Sequence, residues 1–189
     1  PVLIVFHTVL PHPPLTQKKY LIRLIDGCSA VIVMTQTSAG ILEGDYGIEK
    51  EKINIIPHGT HLVSHKDKKK LKAKYNVTGR RILSTFGLLS PGKSIETTLE
   101  ALPAIIKKNP NVLFLIIGKT HPTIIKQVGE TYRNMLQNKI IELGITHSVR
   151  FVNLYLELPI LLEYLQLTDV YLFTSDDPNQ AVSGTFVYA

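Results

Sequence analysis

Arg81-Ile82-Leu83-Ser84-Thr85-Phe86 runs into Gly87-Leu88-Leu89-Ser90-Pro91-Gly92-Lys93-Ser94, which opens onto a segment whose apolar positions are Ile95, Leu99, Leu102 and Ile106. The first six residues are rich in strand formers, and the last segment repeats its apolar residues at helical spacing. The stretch therefore reads as strand, glycine-punctuated turn and helix. After Lys107 it closes on a second apolar run, Val112 to Ile117. Parallel strands need a crossover of a dozen or more residues, and this connection supplies one of the right period. The unit of construction is β-α-β.

Working outward, the same alternation recurs. Ahead of it lie Val2 to Phe6, Gln17 to Asp26, Ala30 to Val33, Ser38 to Asp45 and Ile53 to Ile56; behind it lie Lys126 to Leu143, Val149 to Val152, Pro159 to Gln166 and Val170 to Phe173. Alternating strands and helices predict an α/β fold with parallel sheets covered on both faces. Pro57-His58-Gly59-Thr60 punctuates the series ahead of a charged block, which places a boundary there and predicts two domains, 1–58 and 59–189. Two sheets are expected, one on each side of it.

Composition narrows the function classes. With 189 residues, 44% apolar and 19% charged, the chain has enough apolar matter for real cores and too much for intrinsic disorder. Its longest apolar runs are far short of the roughly 20 residues needed to span a bilayer. Cys28 is the single cysteine, which excludes an internal disulfide framework and thiolate-rich zinc sites and makes a reducing, cytoplasmic setting the expectation. The net charge of +6 favours anionic partners. The chain begins at Pro1 in an apolar run and ends at Ala189 without a cap, so both ends read as cuts in something longer. On its own it is expected to be catalytically inactive.

Two features invite a polyanion reading. His65-Lys66-Asp67-Lys68-Lys69-Lys70-Leu71-Lys72-Ala73-Lys74 is strongly basic, but Leu71 and Tyr75 at i, i+4 spacing fit a solvated helix packed by one face. No aromatic residues interleave the lysines as a single-strand binding surface needs, so nucleic acid is not the expected partner. The second feature is the turn itself. A helix N-terminus carries unpaired N–H groups and a partial positive charge, so Lys93 just before it makes a seat for phosphate. Gly87 to Ser94 also fits the bare P-loop pattern, although Pro91 lacks an N–H in the loop that should cradle phosphate, and Asp169 starts its strand rather than ending it.

Four segments together resemble the retaining glycosyltransferases of family 4: Ile4-Val5-Phe6-His7-Thr8; Ile55-Ile56-Pro57-His58-Gly59; Gly87 to Ala101; and Asp169 to Ser175 leading into Pro178-Asn179-Gln180. The resemblance implies the GT-B fold of two facing Rossmann-like parallel-sheet domains, both incomplete here. It makes 1–58 the later part of the acceptor-side domain and 59–189 the earlier part of the nucleotide-sugar donor domain. It also implies sugar transfer with retention from a nucleotide-sugar donor to a saccharide or lipid-linked acceptor, as in polysaccharide biosynthesis. No metal and no cofactor are implied. An anionic membrane surface at the inner face is a further partner that the charge would suit.

The family's residues carry over unevenly. Its phosphate-binding arginine and lysine correspond to Leu88 and Lys93, so one cation is absent, and Lys119 after the next strand stands where it could supply a second. His7 ends the first strand, where the family places a cleft histidine, so the resemblance implies catalytic roles for His7 and Lys93. His12, His58 and His61 match no zinc spacing. The glutamate pair that grips the donor corresponds to Gln180 and Tyr188, with Ser183, Gly184 and Thr185 between them still able to offer hydroxyl and N–H groups. The implied donor set is Gly87, Lys93, Lys119, Gln180, Ser183, Gly184 and Thr185. Asp176-Asp177 is no D-x-D metal motif. Two rivals stand beside this reading: a non-catalytic nucleotide-sugar or nucleic-acid binding module, and a P-loop phosphatase or kinase.

Overall fold

The computed structural model describes residues 1–177 and 183–189. These fall into two compact units: Pro1–His61 joined by Asp177 and residues 183–187, and Leu62–Asp176 joined by Tyr188–Ala189.

The first unit carries a three-stranded sheet, β1 (Leu3–Phe6), β2 (Ala30–Val33) and β3 (Ile53–Ile55), all parallel and in that order. Its crossovers are α1 (Leu15–Asp26) and α2 (Gln36–Tyr46). Thr35 starts α2 by accepting the Ser38 N–H at 3.1 Å, and Gly47 ends it at φ 71°, a left-handed turn that glycine adopts without a Cβ clash. Val31 and Val33 of the middle strand pack against Ile25, Leu42 and Ala39, so the core sits beneath β2. Phe6, Val33 and Ile55 stand level in the register, so the three strands end together at one carboxyl edge.

The second unit holds β4 (Arg81–Phe86), β5 (Val112–Ile117), β6 (Val149–Val152) and β7 (Val170–Tyr171) in the parallel order β6-β5-β4-β7. All six residues of β5 are buried. Phe114 and Ile116 face a core shared with α4 (Ile95–Lys108) and α6 (Thr131–Glu142), while Leu113, Leu115 and Ile117 face one shared with α3 (Lys68–Lys74) and α7 (Leu158–Leu167). A sheet buried on both faces explains why its strands read as continuous apolar runs.

The single helix expected over 126–143 is two: α5 (Pro122–Val128) stops at Gly129, whose φ of 65° leaves the helical region, and α6 begins at Thr131. The last strand is shorter than expected, although the Leu172 N–H still donates to the Ser84 carbonyl at 2.8 Å. A short helix, α8 (Gly184–Tyr188), closes the described chain.

The basic run is ion-paired as well as solvated. Lys66 and Lys74 bond to Glu163 at 2.7 and 2.5 Å, and Lys68 and Lys72 bond to Asp169 at 3.3 and 2.6 Å. Asp67 caps α3, accepting the Lys69 and Lys70 N–H groups. The expected inward face is present, with Leu71 buried and Tyr75 half-buried.

Candidate functional site at the carboxyl edges of the two sheets

Beyond the last residues of β4, β5 and β6 the backbone keeps pairing. The Gly87 N–H donates to the Ile117 carbonyl, Leu89 to Lys119, His121 to Leu89, and Gly118 to Val152, at 2.8 to 3.0 Å. The two loops cross where both carry glycine: φ is 124° at Gly87 and 131° at Gly118. A Cβ on Gly118 would lie 2.1 Å from the Gly87 carbonyl oxygen, so no other residue fits without moving the backbone. Over this crossing lies a cavity of about 230 Å³, bordered by Phe86, Gly87, Gly118, Lys119, Tyr155 and Tyr188. Its wall is largely apolar. Phe86 and Tyr188 stack with ring planes 8° apart.

Lys93 sits in a 3-10 turn (Pro91–Lys93) between β4 and α4, at the same carboxyl edge. The turn is tied down from the far side, for Thr174 donates its hydroxyl to the Lys93 carbonyl at 2.7 Å and Ser175 to the Gly92 carbonyl at 3.2 Å. Burial pushes the Lys93 ammonium pKa down from the ordinary lysine range. A phosphate beside it would reverse that shift. Lys119 is exposed at the cavity rim, and Leu88 is exposed where the arginine of the resemblance would stand.

The same geometry removes the P-loop reading. The N–H groups of Gly87, Leu89, Lys93 and Ser94 are spent on carbonyls, Pro91 has none, and that of Ile95 donates to the Tyr132 hydroxyl at 3.0 Å. Tyr132 in turn bonds to Glu96 at 2.6 Å, so a carboxylate stands in the first turn of α4. Burial first, and then that bond, raise the tyrosine pKa. Asp169, which magnesium would require at a strand end, is at the opposite edge of the sheet and accepts the Ile82 N–H at 2.7 Å.

In the first unit, His7 comes directly after β1 and its ring lies 6.1 Å from that of His58, edge to face. A Cβ on Gly184 would lie 3.5 Å from His58 Nε2, an ordinary contact distance, so this turn adjoins the imidazole. Ser183 and Thr185 share a hydroxyl bond of 3.0 Å there. His7, His58 and the Ser183-Gly184-Thr185 turn are thus gathered in one unit, while Gly87, Lys93 and Lys119 are gathered in the other. Gln180 lies outside the described residues. Elsewhere, the His12 backbone N–H donates to the Asp45 carboxylate at 2.7 Å, and its imidazole is exposed with Nδ1 3.7 Å from that carboxylate. Among the described residues no three of His, Cys, Asp and Glu are grouped to hold a metal ion.

Known proteins share this architecture. The family model for glycosyl transferases group 1 matches residues 67–183, more than half of the chain. The chain belongs to this family. Among solved structures, HepE from Anabaena in complex with UDP superposes with a TM-score of 0.76 at 22% identity, covering 95% of this chain and 48% of that one. A glycosyltransferase from Rickettsia africae gives 0.69 at 20% identity, with 94% and 46% covered, and TarM from S. aureus gives 0.64 at 18%, with 92% and 32% covered. The chain therefore spans about half the length of the first two. No curated protein matches it. At these identities the superpositions establish the fold, two Rossmann-like parallel-sheet units of the GT-B type.

Three features of this member of the glycosyl transferases group 1 family escaped the sequence reading. Gly118, directly after the run Val112 to Ile117, drew no reading of its own, yet it forms half of the glycine crossing. His58 was grouped with scattered histidines, yet it neighbours His7. Arg133 carried no motif at all. Of these, Gly118 had a usable signal, since a glycine directly after a buried strand marks close backbone approach.

Proposed function

We propose that the chain is the donor-binding part of a transferase that moves a sugar from a nucleotide-sugar to a saccharide or lipid-linked acceptor with retention, residues 59–189 holding the donor and 1–58 the acceptor side. The observation that supports it best is the cavity of about 230 Å³ over the glycine crossing, with Lys93 and Lys119 at the same edge. In open α/β sheets ligands bind outside the carboxyl ends of the strands. The apolar wall with Tyr155 suits the face of a nucleobase, and the bare backbone of Gly87 and Gly118 lets a phosphate come close. HepE has been solved with UDP and with UDP-glucose, which favours the same donor class here.

Breaking the sugar–phosphate bond leaves negative charge on the departing nucleoside diphosphate. A fixed ammonium at that point stabilises the charge as it develops, and Lys93 has the place for it, with Lys119 as the second cation. His7, beside His58, faces the sugar or the acceptor. Gln180, Ser183, Gly184 and Thr185 offer hydrogen bonds to donor hydroxyls. No metal or cofactor enters this reading. The surroundings are cytoplasmic, with an anionic membrane face as a contact that the +6 charge suits. Among the described residues no helix is long and apolar enough to cross a membrane.

Calorimetric titration of the chain with UDP, GDP, ADP and single-stranded DNA at two salt concentrations tests the reading. Saturable binding of one nucleoside diphosphate, without magnesium, is expected. Absence of diphosphate binding overturns it, and DNA binding that falls steeply with salt would favour the nucleic-acid module instead.

A further inference from the structure

Arg133 on α6 is a buried cation that the donor reading leaves without a task. Its side chain is 5% exposed. Nη2 donates to the Gly118 carbonyl at 3.0 Å, and Nε reaches the Thr120 hydroxyl and the Glu130 carboxylate, each at 3.3 Å. Thr120 is itself 1% exposed and bonds to Glu130. The guanidinium carbon stands 5.2 Å from the centre of the Phe151 ring on β6, which fixes the plane of the group.

The residues gripped are the two that bracket Lys119. A guanidinium is a rigid fork with five donors, so one side chain holds both sides of a loop that a lysine could hold at one point. An apolar side chain at 133 would bury without any desolvation cost and would pack α6 as well, but it could bond neither loop group. On the outer side the Lys119 carbonyl accepts the Leu89 N–H at 2.8 Å, so the loop is held from beneath by Arg133 and from the side by Leu89. With leucine at position 88, Lys93 and Lys119 are the lysines that the described residues bring to this edge, and the aim of Lys119 then matters.

We infer that Arg133 is a positioning residue of the nucleotide site, holding Gly118 and Thr120 so that Lys119 is presented to the donor diphosphate. This rests on the reading of the cavity as the donor site. The test uses Arg133→Met and Arg133→Lys, each in the parent and in a Lys119→Ala background, with UDP affinity by calorimetry and amide hydrogen exchange without nucleotide. Arg133→Met should weaken UDP binding about tenfold, Arg133→Lys less, and neither should add much once Lys119 is absent, because residues acting through one another are not additive. Exchange should quicken at Leu89 and His121, whose amides bridge the loops, while β5 stays protected. Unchanged UDP affinity in Arg133→Met overturns the inference. So does an equal loss in both backgrounds with β5 exchanging faster, which would make Arg133 a packing residue. If the parent binds no diphosphate, the donor reading fails by itself, and exchange at Leu89 and His121 still decides whether Arg133 holds the loop.

Discussion

At the carboxyl edge of β4 and β5 the second unit ends in bare backbone, two glycines crossing under a cavity with Lys93 and Lys119 beside them. At the amino edge of the same strands the cations have partners. Asp169 accepts from Lys68, Lys72 and the Ile82 N–H, and Arg80 spends its guanidinium on the carbonyls of Asn111, Val112 and His147. Burial opposes the Asp169 charge, but those donors outweigh it and hold its carboxyl below the usual range. The amino edge is richer in charge, yet its charge is largely consumed by the fold. The difference teaches that charge density along the sequence does not by itself mark a receiving edge; the proposed donor site lies where the cations are not consumed by the fold.

The largest effect should come from the crossing. Gly118→Ala sets a methyl 2.1 Å from the Gly87 carbonyl at a φ that L-residues avoid, so it should cost about 3 kcal/mol in stability by urea unfolding and abolish nucleotide binding. Gly129→Ala, at a helix end with open space for its Cβ, should cost less. Comparable stability for both variants would break the idea that the edge is built on backbone contact.

Next in size is Lys93→Ala, expected to weaken nucleoside diphosphate binding by about 1.5 to 3 kcal/mol, the size of charge-assisted hydrogen bonds. Because burial lowers the Lys93 pKa, affinity should fall as pH rises through that lowered value. Stability moves the other way. Between the lowered value and the ordinary 10.5 the unfolded chain binds the extra proton, so folding should gain slightly as pH rises in that window. Diphosphate affinity equal to the parent's would remove Lys93 from the site.

Legibility tracked burial. β5 is buried on both faces, and its apolar run announced it in full. The parallel direction of the strands was readable from crossover length, and the separation into two sheets from the Pro57-His58-Gly59-Thr60 punctuation. Helix ends set by a single residue's φ were less visible: Gly129 divides a segment whose apolar spacing continues across it. Among the candidate site residues, the lysine before a helix could be singled out because it has a local signature, as could the histidine ending a strand. Arg133 has none, since its meaning comes from Gly118 and Thr120, which reach it only through the fold. The ion pairs of the lysine run were hidden for the same reason, because its carboxylate partners lie about 90 to 100 residues away in sequence.

Glu163→Gln probes the consumed kind of charge. Glu163 is buried and accepts from Lys66, Lys74 and Tyr75, and these bonds hold its carboxyl down at about 2. Its folded pKa lies below its ordinary 4.5, so its contribution is present above that value and is lost as pH falls toward 2. The substitution should cost about 1 to 3 kcal/mol at neutral pH, and the gap to the parent should close in acid. UDP affinity should stay at the parent's value. A gap that persists at pH 2 would mean that shape rather than charge is what Glu163 supplies.

The smallest effects sharpen the comparison within the lysine run itself. Lys69 and Lys70 lend their N–H groups to the Asp67 cap, but their side chains are exposed, so Lys69→Ala with Lys70→Ala keeps the cap and removes two solvated charges. Alanine is at least as good a helix former, and the pair should change stability by no more than about 0.5 kcal/mol. Lys72 differs by two residues in sequence and by its surroundings: its side chain is 15% exposed, with its ammonium 2.6 Å from Asp169 and 2.9 Å from the Arg80 carbonyl. Removing it leaves Asp169 with Lys68 at 3.3 Å and the Ile82 N–H, so Lys72→Ala should cost about 1 kcal/mol, more than the double variant. Both measurements are urea unfolding at neutral pH and moderate salt. If the double variant proves the more damaging, the exposed lysines have a partner in solution, and the amino edge would have to be counted among the surfaces that receive an anion.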